Sequence, residues 1–480
     1  MAKQQMKGNN TLQRLSRIWL LLVLCAQLTN AQDTSLRVLT EAEFIAIVRE
    51  HHPVAKQASL LVDAAHAQLL SIRGNFDPVV FLENNQKTFD GKNYFNYSNA
   101  ELAVPTWFGV ELYAGLENNF GDFINPEISS NRTSYAGISL PLLRDLVLDQ
   151  RRAALQQGKL FTQQSQSEQR NVINDLLFDA YNAYWNWAKD YQVFNVLDTT
   201  VFLNETRYEL VRITMQQGDR AAIDTTEALA QLQNFQQQRE EALLKFRKST
   251  LELSVYLWLP GNIPAYLTDA VLPDTIWAKQ AFNEFKIDLL NDWLTQALNN
   301  HPKLQQLDFK LQALEVERRL KFQYLLPKLD LKYNFLQQGY NIANSINANF
   351  FENNYKFGLN AVIPIPNRRG IGDYRAARIY IKTTELDRSF TELNIENKVR
   401  FHYNEVLNLQ KQIRIYEAAY RNFVKLFEAE KLKFSIGETT LFLLNMRETK
   451  VLEAQQKLLE LKTKFYQSFA ALNWAAGSLQ

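Results

Sequence analysis

The sequence predicts a mainly α-helical chain with a minority of β-strands, built from two tandem helix–strand–helix units. The first observation is a set of landmarks that recurs in the same order in both halves of the chain. The second is a pair of helical patterns, each roughly 70 residues long, that run almost without glycine or proline. Short alternating segments, with the period of two that indicates strands, lie in the middle of each unit.

The internal repeat is the most informative feature. Pro53 opens a helical stretch that ends at Pro78, and Pro302 opens another that ends at Pro327, so both pairs of prolines are 25 positions apart. A histidine precedes the opening proline in each case. Further landmarks pair in the same order: Phe44-Ile45 with Trp293-Leu294, Pro141 with Pro364, Arg152 with Arg375, and Gly218 with Gly437.

The chain divides into three parts. Residues 1–31 are predicted to be a signal peptide, because four positive charges and no acid precede an apolar run at 18–25 that is too short to span a bilayer. Gln32 would then begin the mature protein. The first unit covers 32–288 and ends in a linker at 260–288, and the second unit covers 289–480.

Charge and cysteine content exclude several classes of function. The formal charge of +2 includes the four positive charges of the leader, so the mature chain carries −2, which does not favour nucleic acid as a partner. Cys25, the one cysteine, lies in the leader, which removes disulfides and thiolate metal sites. Leu24 stands where a lipoprotein signal needs a small residue, so no lipid anchor is expected.

Alternation predicts strands in two regions, at about 78–141 and 328–364. The clearest segments are 110–117, 134–140, 329–335 and 355–361. Counted between the flanking prolines, from Pro78 to Pro141 and from Pro327 to Pro364, the first region is 26 residues longer than the second, which leaves room for either one more hairpin or a long surface loop. Alternating faces suit strands with one side in lipid and the other in water. Because so few strands cannot close a membrane barrel alone, they either pair between copies of the chain or lie outside the membrane.

The helical patterns indicate long coiled rods. Residues 144–217 would form a helix of about 110 Å and residues 368–436 one of about 100 Å. Apolar residues spaced alternately by three and four, from Ile173 to Phe194 and from Val451 to Leu472, are heptad seams that require a helical partner. Each unit is therefore expected to pack one long helix beside two shorter ones, with strands at one end and a glycine turn at the far tip.

Several motifs resemble those of one family. Residues 218–228 (GDRAAIDTTEA) resemble the tip motif of TolC-like outer-membrane efflux and secretion channels, and residues 437–443 (GETTLFL) resemble its second copy. Residues 141–144 (PLLR) and the two His-Pro openings are also similar to that family. The resemblance implies a homotrimer in which four strands from each chain form a 12-stranded β-barrel, continuous with an α-barrel tunnel of coiled-coil helices in the periplasm.

The same resemblance implies the function. The protein would be the exit duct of a tripartite efflux pump or type I secretion system, placed in outer-membrane lipid. Its partners would be a periplasmic adaptor and an inner-membrane RND or ABC transporter. No phosphate loop or nucleophile motif favours an enzyme, and no cofactor is expected. The alternative is a periplasmic or secreted coiled-coil structural protein, which would account for the heptads but not for the strands.

The candidate gate residues are Asp224 and Glu227, which share one face of a helix because they are three positions apart. The resemblance implies that carboxylates here line the constricted periplasmic entrance. The equivalent positions of the second unit hold Leu443 and Met446, so we expect a single ring of three Asp224 residues. The simpler interpretation is that acids in a first helical turn favour the helix dipole.

The remaining candidates lie at the two tips. Gly218 and Gly437 are expected to adopt positive φ at helix–helix turns. Together with Asp219 and Glu438 they are the candidate contacts for the adaptor. No metal site is expected, because the adjacent pair His51-His52 would point about 100° apart on a helix. We expect the histidines to lie on the surface at helix ends.

Overall fold

The computed structural model describes residues 37–268, 270–279, 282, 288–341 and 354–479. The predicted signal peptide lies outside these residues. The elements that precede the first long helix are β1 (Arg37–Leu39), α1 (Glu41–His51), α2 (Pro53–Arg73), β2 (Val79–Phe89), β3 (Lys92–Pro105), β4 (Glu111–Phe120) and β5 (Asn131–Pro141). The two helices of the first tip follow as α3 (Gln150–Gln216) and α4 (Ala222–Ser254).

Short elements connect the two units. They are β6 (Trp258–Leu259), β7 (Ile263–Pro264), β8 (Val271–Pro273) and α5 (Ile276–Lys279). The second unit consists of α6 (Leu290–Asn300), α7 (Pro302–Gln323), β9 (Lys328–Gln338), β10 (Tyr355–Val362), α8 (Arg368–Ser435) and α9 (Leu441–Ala475). The order of a helix pair, strands, a long helix and a return helix thus occurs twice.

The two long helices have nearly equal lengths. α3 has 67 residues and α8 has 68, which corresponds to about 100 Å each. The Asn367 side chain caps α8 by accepting a hydrogen bond from the Gly370 amide at 3.0 Å. α3 begins at Gln150 and not at Arg144 as predicted, because Asp145 adopts a positive φ of 70° and Asp149 then caps the helix through the Arg152 amide at 2.8 Å.

Each long helix packs beside two shorter helices, as the sequence predicts. α3 contacts α2 and α4, while α8 contacts α6, α7 and α9. The predicted heptad seams face inward: Leu177, Tyr184 and Trp187 are buried on α3. The seam of α9 is buried at Leu458 and Phe465. Removal of this apolar surface from water stabilises the rods, since each fully buried large side chain contributes about 1.5–3 kcal/mol.

An aromatic core fixes the start of the first unit. Phe44 of α1 stacks on Tyr184 of α3 with ring centroids 5.8 Å apart, and the Tyr184 hydroxyl donates a hydrogen bond to the Leu39 carbonyl. The predicted equivalents of Phe44 and Ile45, which are Trp293 and Leu294 of α6, are also buried. α1 and α6 therefore hold matching positions against the two long helices.

The two helices that open with proline are capped by the preceding histidine. His52 Nδ1 accepts a hydrogen bond from the Val54 amide at 3.2 Å, and His301 Nδ1 accepts one from the Lys303 amide at 3.1 Å. Both of these histidines are buried, so for them the prediction of helix ends is correct and the prediction of surface positions is wrong. His66 is exposed, but it lies inside α2. Burial and nearby lysines lower the pKa of His301 to about 4, which keeps the ring neutral and able to accept this hydrogen bond.

Six antiparallel strands form one sheet in the order β10-β9-β5-β4-β3-β2. β4, β5, β9 and β10 occupy the predicted segments. The 26 additional residues of the first strand region are accounted for by a further hairpin, β2–β3. It turns at Asp90 and Gly91, which both have the positive φ of a tight hairpin turn. The resemblance implied four strands per chain, whereas the described residues contain six in this sheet.

No helix in the described parts of the chain combines the length and the apolar content needed to cross a lipid bilayer. Within the same residues, no group of three or more His, Cys, Asp or Glu side chains converges in a way that could hold a metal ion.

Candidate functional site

Both glycine turns lie at the end of the helices that is remote from the sheet. Gly218 has φ +86° and Gly437 has φ +81°, as the sequence predicts. Neither glycine has another atom near the position of a side chain, so backbone conformation and not space requires glycine there. The amides of Asp219 and Glu438 donate to the carbonyls of Thr214 and Lys433, five residues earlier, which ends each long helix in the same way.

Asp224 is paired within its own chain. It lies in the first turn of α4, and its Oδ2 atom is 3.8 Å from Nη1 of Arg220. The Arg220 guanidinium also lies 4.2 Å from the centre of the Phe434 ring on α8. Arg220 thus connects the first tip to the second unit and offsets part of the negative charge of Asp224. The carboxylate remains about one-quarter exposed, so it is still accessible to water and ions.

Glu227 belongs to a different set of contacts. Its Oε1 atom accepts a hydrogen bond from Asn445 Nδ2 on α9 at 3.3 Å. Asn445 Oδ1 accepts from Arg207 of α3 at 3.3 Å, and Arg207 makes two hydrogen bonds to Glu448, at 2.6 and 2.9 Å. We call Arg207, Glu227, Asn445 and Glu448 the tip network. It joins α3, α4 and α9, and hence the two units.

Arg207 and Glu448 were not identified from the sequence. Glu448 is 8% exposed and Asn445 is 6% exposed, on the same side of α9 as the buried Leu441 and Leu444. A carboxylate on the apolar seam of a helix is a signal that could have revealed a buried ion pair. Its partner could not be identified this way, because Arg207 is 241 residues away in the chain.

The tip also exposes apolar side chains. Leu443 and Met446, which occupy the second-unit positions equivalent to Asp224 and Glu227, are 37% and 39% exposed. Larger exposures occur close by at Ile223, Ile436 and Phe442, each above 60%. Asp219 and Glu438 are exposed beside them. The tip therefore presents a mixed surface of apolar and acidic groups.

The six-stranded sheet has one charged face and one face that is apolar over the half nearer the long helices. Cross-strand partners place Leu102, Ala114, Ala136 and Phe335 in one row, and Glu101, Gly115, Tyr135 and Leu336 in the next row, which faces the opposite side. The apolar face is open, with large exposed side chains at Val80, Leu82, Leu102, Leu112, Ile138 and Leu359. The charged face carries Glu83, Glu101, Glu111 and Glu117 from the first unit, and Lys328, Asp330, Lys332 and Lys356 from the second.

Contacts on the charged face order its side chains. Tyr135 lies across Gly115, where a Cβ atom would come within 2.2 Å of the tyrosine ring. Its hydroxyl donates a hydrogen bond to Glu101 Oε2 at 2.6 Å. At the helical end of the sheet, Glu111 forms an ion pair with Arg151 of α3. A charged, hydrogen-bonded face opposite an exposed apolar face is the pattern of membrane strands that line a water-filled passage.

Comparison with known proteins agrees with this architecture. Residues 293–478 match the model of the family described as outer membrane efflux protein. No curated protein sequence matches the chain significantly.

Among solved structures, the open state of the Neisseria gonorrhoeae MtrE outer membrane channel superposes with a TM-score of 0.66 and 14% identity, over 91% of this chain and 89% of that chain. The Campylobacter jejuni CmeC outer membrane channel superposes with a TM-score of 0.62 and 16% identity, over 91% of this chain and 85% of that chain. The outer membrane protein VceC of Vibrio cholerae superposes with a TM-score of 0.62 and 12% identity, over 91% of this chain and 95% of that chain.

The family match lies in the second unit, and the structural likeness extends over both. Residues 293–478 thus match the outer membrane efflux protein family, and the chain as a whole has the fold of outer-membrane channels such as MtrE and CmeC.

Proposed function

We propose that this protein is the exit duct of a tripartite efflux pump or a type I secretion system. The observation that carries the proposal is the two-faced sheet at one end of helices about 100 Å long. Its apolar face suits lipid and its charged face suits a wet passage. The helices would continue the passage into the periplasm and end at the tip. A coiled-coil structural protein would need the helices but not such a sheet.

The open sheet of one chain cannot stand alone in a bilayer, so several copies would have to assemble. The resemblance to TolC-like channels implies that this functional unit is a homotrimer. The tip would contact a periplasmic adaptor, which in turn would connect the duct to an inner-membrane RND or ABC transporter. The exposed apolar groups near Gly218 and Gly437, together with Asp219 and Glu438, form a surface of the composition that protein partners bind.

Fractionation tests this assignment. We expect the mature protein, beginning near Gln32, to reside in the outer membrane. In unheated detergent gels it should migrate as a trimer that dissociates on boiling. The adaptor and transporter should co-purify with it after mild cross-linking. Recovery of a soluble monomer from the periplasm would contradict the proposal and favour the structural alternative.

Asp224 is the proposed gate residue. Three copies would ring the narrow periplasmic end and favour cations over anions, since fixed charges along a constriction concentrate counter-ions. Arg220 opposes this effect, because its guanidinium lies 3.8 Å from the Asp224 carboxylate. Glu227 contributes less, because it is engaged by Asn445 of α9.

We expect Asp224→Asn to lower the ratio of cation to anion permeability about twofold, and Arg220→Gln to raise it by a similar factor. The measurement is the reversal potential of single trimers in planar bilayers under a salt gradient. Asp63→Asn, an exposed substitution on α2, provides the control. Equal reversal potentials for all variants would contradict the gate assignment and would leave Asp224 as an acid that only stabilises the first turn of its helix.

A further inference from the structure

The sheet of one chain ends in two open edges. Among the described residues, β2 and β10 each have a strand partner on one side only. All eleven residues of β2 are exposed. Backbone groups along an open edge cannot remain unpaired in hydrocarbon, since no water is available to satisfy them. In the membrane, both edges therefore require another strand.

We propose that three copies of this chain close an 18-stranded barrel, in which β2 of one copy pairs with β10 of the next. The inference rests on the trimer of the proposed function and adds its strand number and its seam. The resemblance to TolC-like channels implied 12 strands, and the difference comes from the β2–β3 hairpin of each chain.

The direction of the strands permits this closure. All five strand pairs in the sheet are antiparallel, so β2 and β10, at opposite ends of six strands, run in opposite directions. When β2 of one copy meets β10 of the next, their pairing is antiparallel as well. The ladder then continues around the ring without a change of pattern.

The hairpin is continuous with the rest of the sheet. β3 pairs with β4 over ten consecutive residue pairs, from Asn96 with Phe120 to Pro105 with Glu111. The hairpin also extends both faces, with Val80 and Leu82 on the apolar side and Glu83 on the charged side. A hairpin excluded from the barrel would leave its apolar face without lipid and would have to give up the β3–β4 ladder.

Both edges carry charged side chains on the same face, namely Glu83 and Lys87 on β2 and Lys356 on β10. Glu83 lies on β2, and Lys356 lies on β10, both on the charged side. Both residues are exposed in the single chain. Closure would place Glu83 of one copy and Lys356 of the next on the same face of each of the three seams, and opposite charges across a strand pair favour pairing between copies.

Strand number sets the width of the passage. With strands about 4.8 Å apart and tilted by about 40°, 18 strands give a backbone diameter of about 36 Å, against about 24 Å for 12 strands. Side chains of the charged face fill part of this space. Even so, the barrel would resemble the aqueous porins in width, and the tip would be the narrowest part of the duct.

Engineered disulfides test the seam. Cys25 is the only cysteine and lies in the predicted signal peptide, so the mature chain offers no competing thiol. Asn360→Cys on β10 is combined in turn with a cysteine at each position of β2 on the charged face, because barrel tilt shifts the register between copies by several residues. These positions are Val79, Phe81, Glu83, Asn85 and Lys87. The matched series places the second cysteine on β4, at Glu111, Tyr113 or Glu117.

We expect at least one β2–β10 pair to give covalent dimers and trimers on boiled, oxidised gels that revert to monomer on reduction, with no cross-link in the β4 series. Cross-linking of β4 to β10 in a stable trimer would show a 12-stranded barrel and overturn the inference while the proposed function stands. A trimer without cross-links in either series also overturns it. Absence of the unheated trimer in the unmutated protein would instead refute the proposed function.

Discussion

Replacing Glu448 with leucine should destabilise the helical tip by about 3–5 kcal/mol, because it leaves the Arg207 guanidinium largely buried without its carboxylate partner. The two side chains are 10% and 19% exposed and form two hydrogen bonds, so water cannot readily take the place of the lost partner. Arg207→Leu should destabilise the tip by a similar amount, because it leaves the Glu448 carboxylate buried without its guanidinium partner. The double variant Arg207→Leu/Glu448→Leu should cost less than either single change, since no unpaired charge remains.

Hydrogen exchange followed by mass spectrometry on peptides from the ends of α3 and α9 measures the opening free energy of the tip. Glu453→Leu provides the control on the same helix, because the ion pair between Glu453 and Lys450 is more than half exposed. Its effect should stay below about 1 kcal/mol. Strictly additive effects of the two single changes would show that Arg207 and Glu448 are not energetically coupled.

The same variants report on the closed state of the proposed duct. Arg207 belongs to the first unit and Glu448 to the second, so their ion pair holds the two helix pairs together near the tip. If the tip opens by separation of these pairs, each single variant should raise the resting conductance in planar bilayers. Glu453→Leu should leave that conductance unchanged.

The second large effect is expected in the sheet. Leu359→Arg should destabilise the assembled protein by about 2–4 kcal/mol per chain, because it places a charge on the face proposed to contact lipid. Asn360→Arg, on the next residue of β10, is the matched control: it adds the same side chain to the charged face, opposite Asp330. That change should destabilise the assembled protein only slightly.

Two measurements report this difference. One is the yield of trimers that survive in unheated detergent gels, and the other is the urea concentration at which the trimers dissociate in lipid vesicles. We expect the trimer yield to fall sharply for Leu359→Arg and to stay near that of the unmutated protein for Asn360→Arg. Equal loss in both variants would contradict the assignment of the two faces.

Part of the candidate site could be predicted from the sequence. Gly218 and Gly437 were identified because a helix–helix turn needs positive φ, which is a property of the residue itself. Asp224 and Glu227 were placed on one helical face by their spacing, but their different surroundings were not apparent. Asp224 pairs with Arg220 beside Phe434, and Glu227 binds Asn445, through contacts between different helices.

The amino-acid sequence is sufficient to predict the two units, the lengths of the long helices, the tip turns and four of the six strands of the large sheet. These features follow from local rules, namely the apolar periods of helices and strands and the backbone preferences of glycine and proline. The sequence does not predict the β2–β3 hairpin, because β2 lacks alternation: residues 79–82 are a continuous apolar run and residues 83–88 are all polar. The pairing of β2 with β3 and of β3 with β4, and the contact of Arg207 with Glu448, become apparent only in the folded chain. Such contacts join positions far apart in the chain, and their partners are selected by the packing of the whole fold rather than by neighbouring residues.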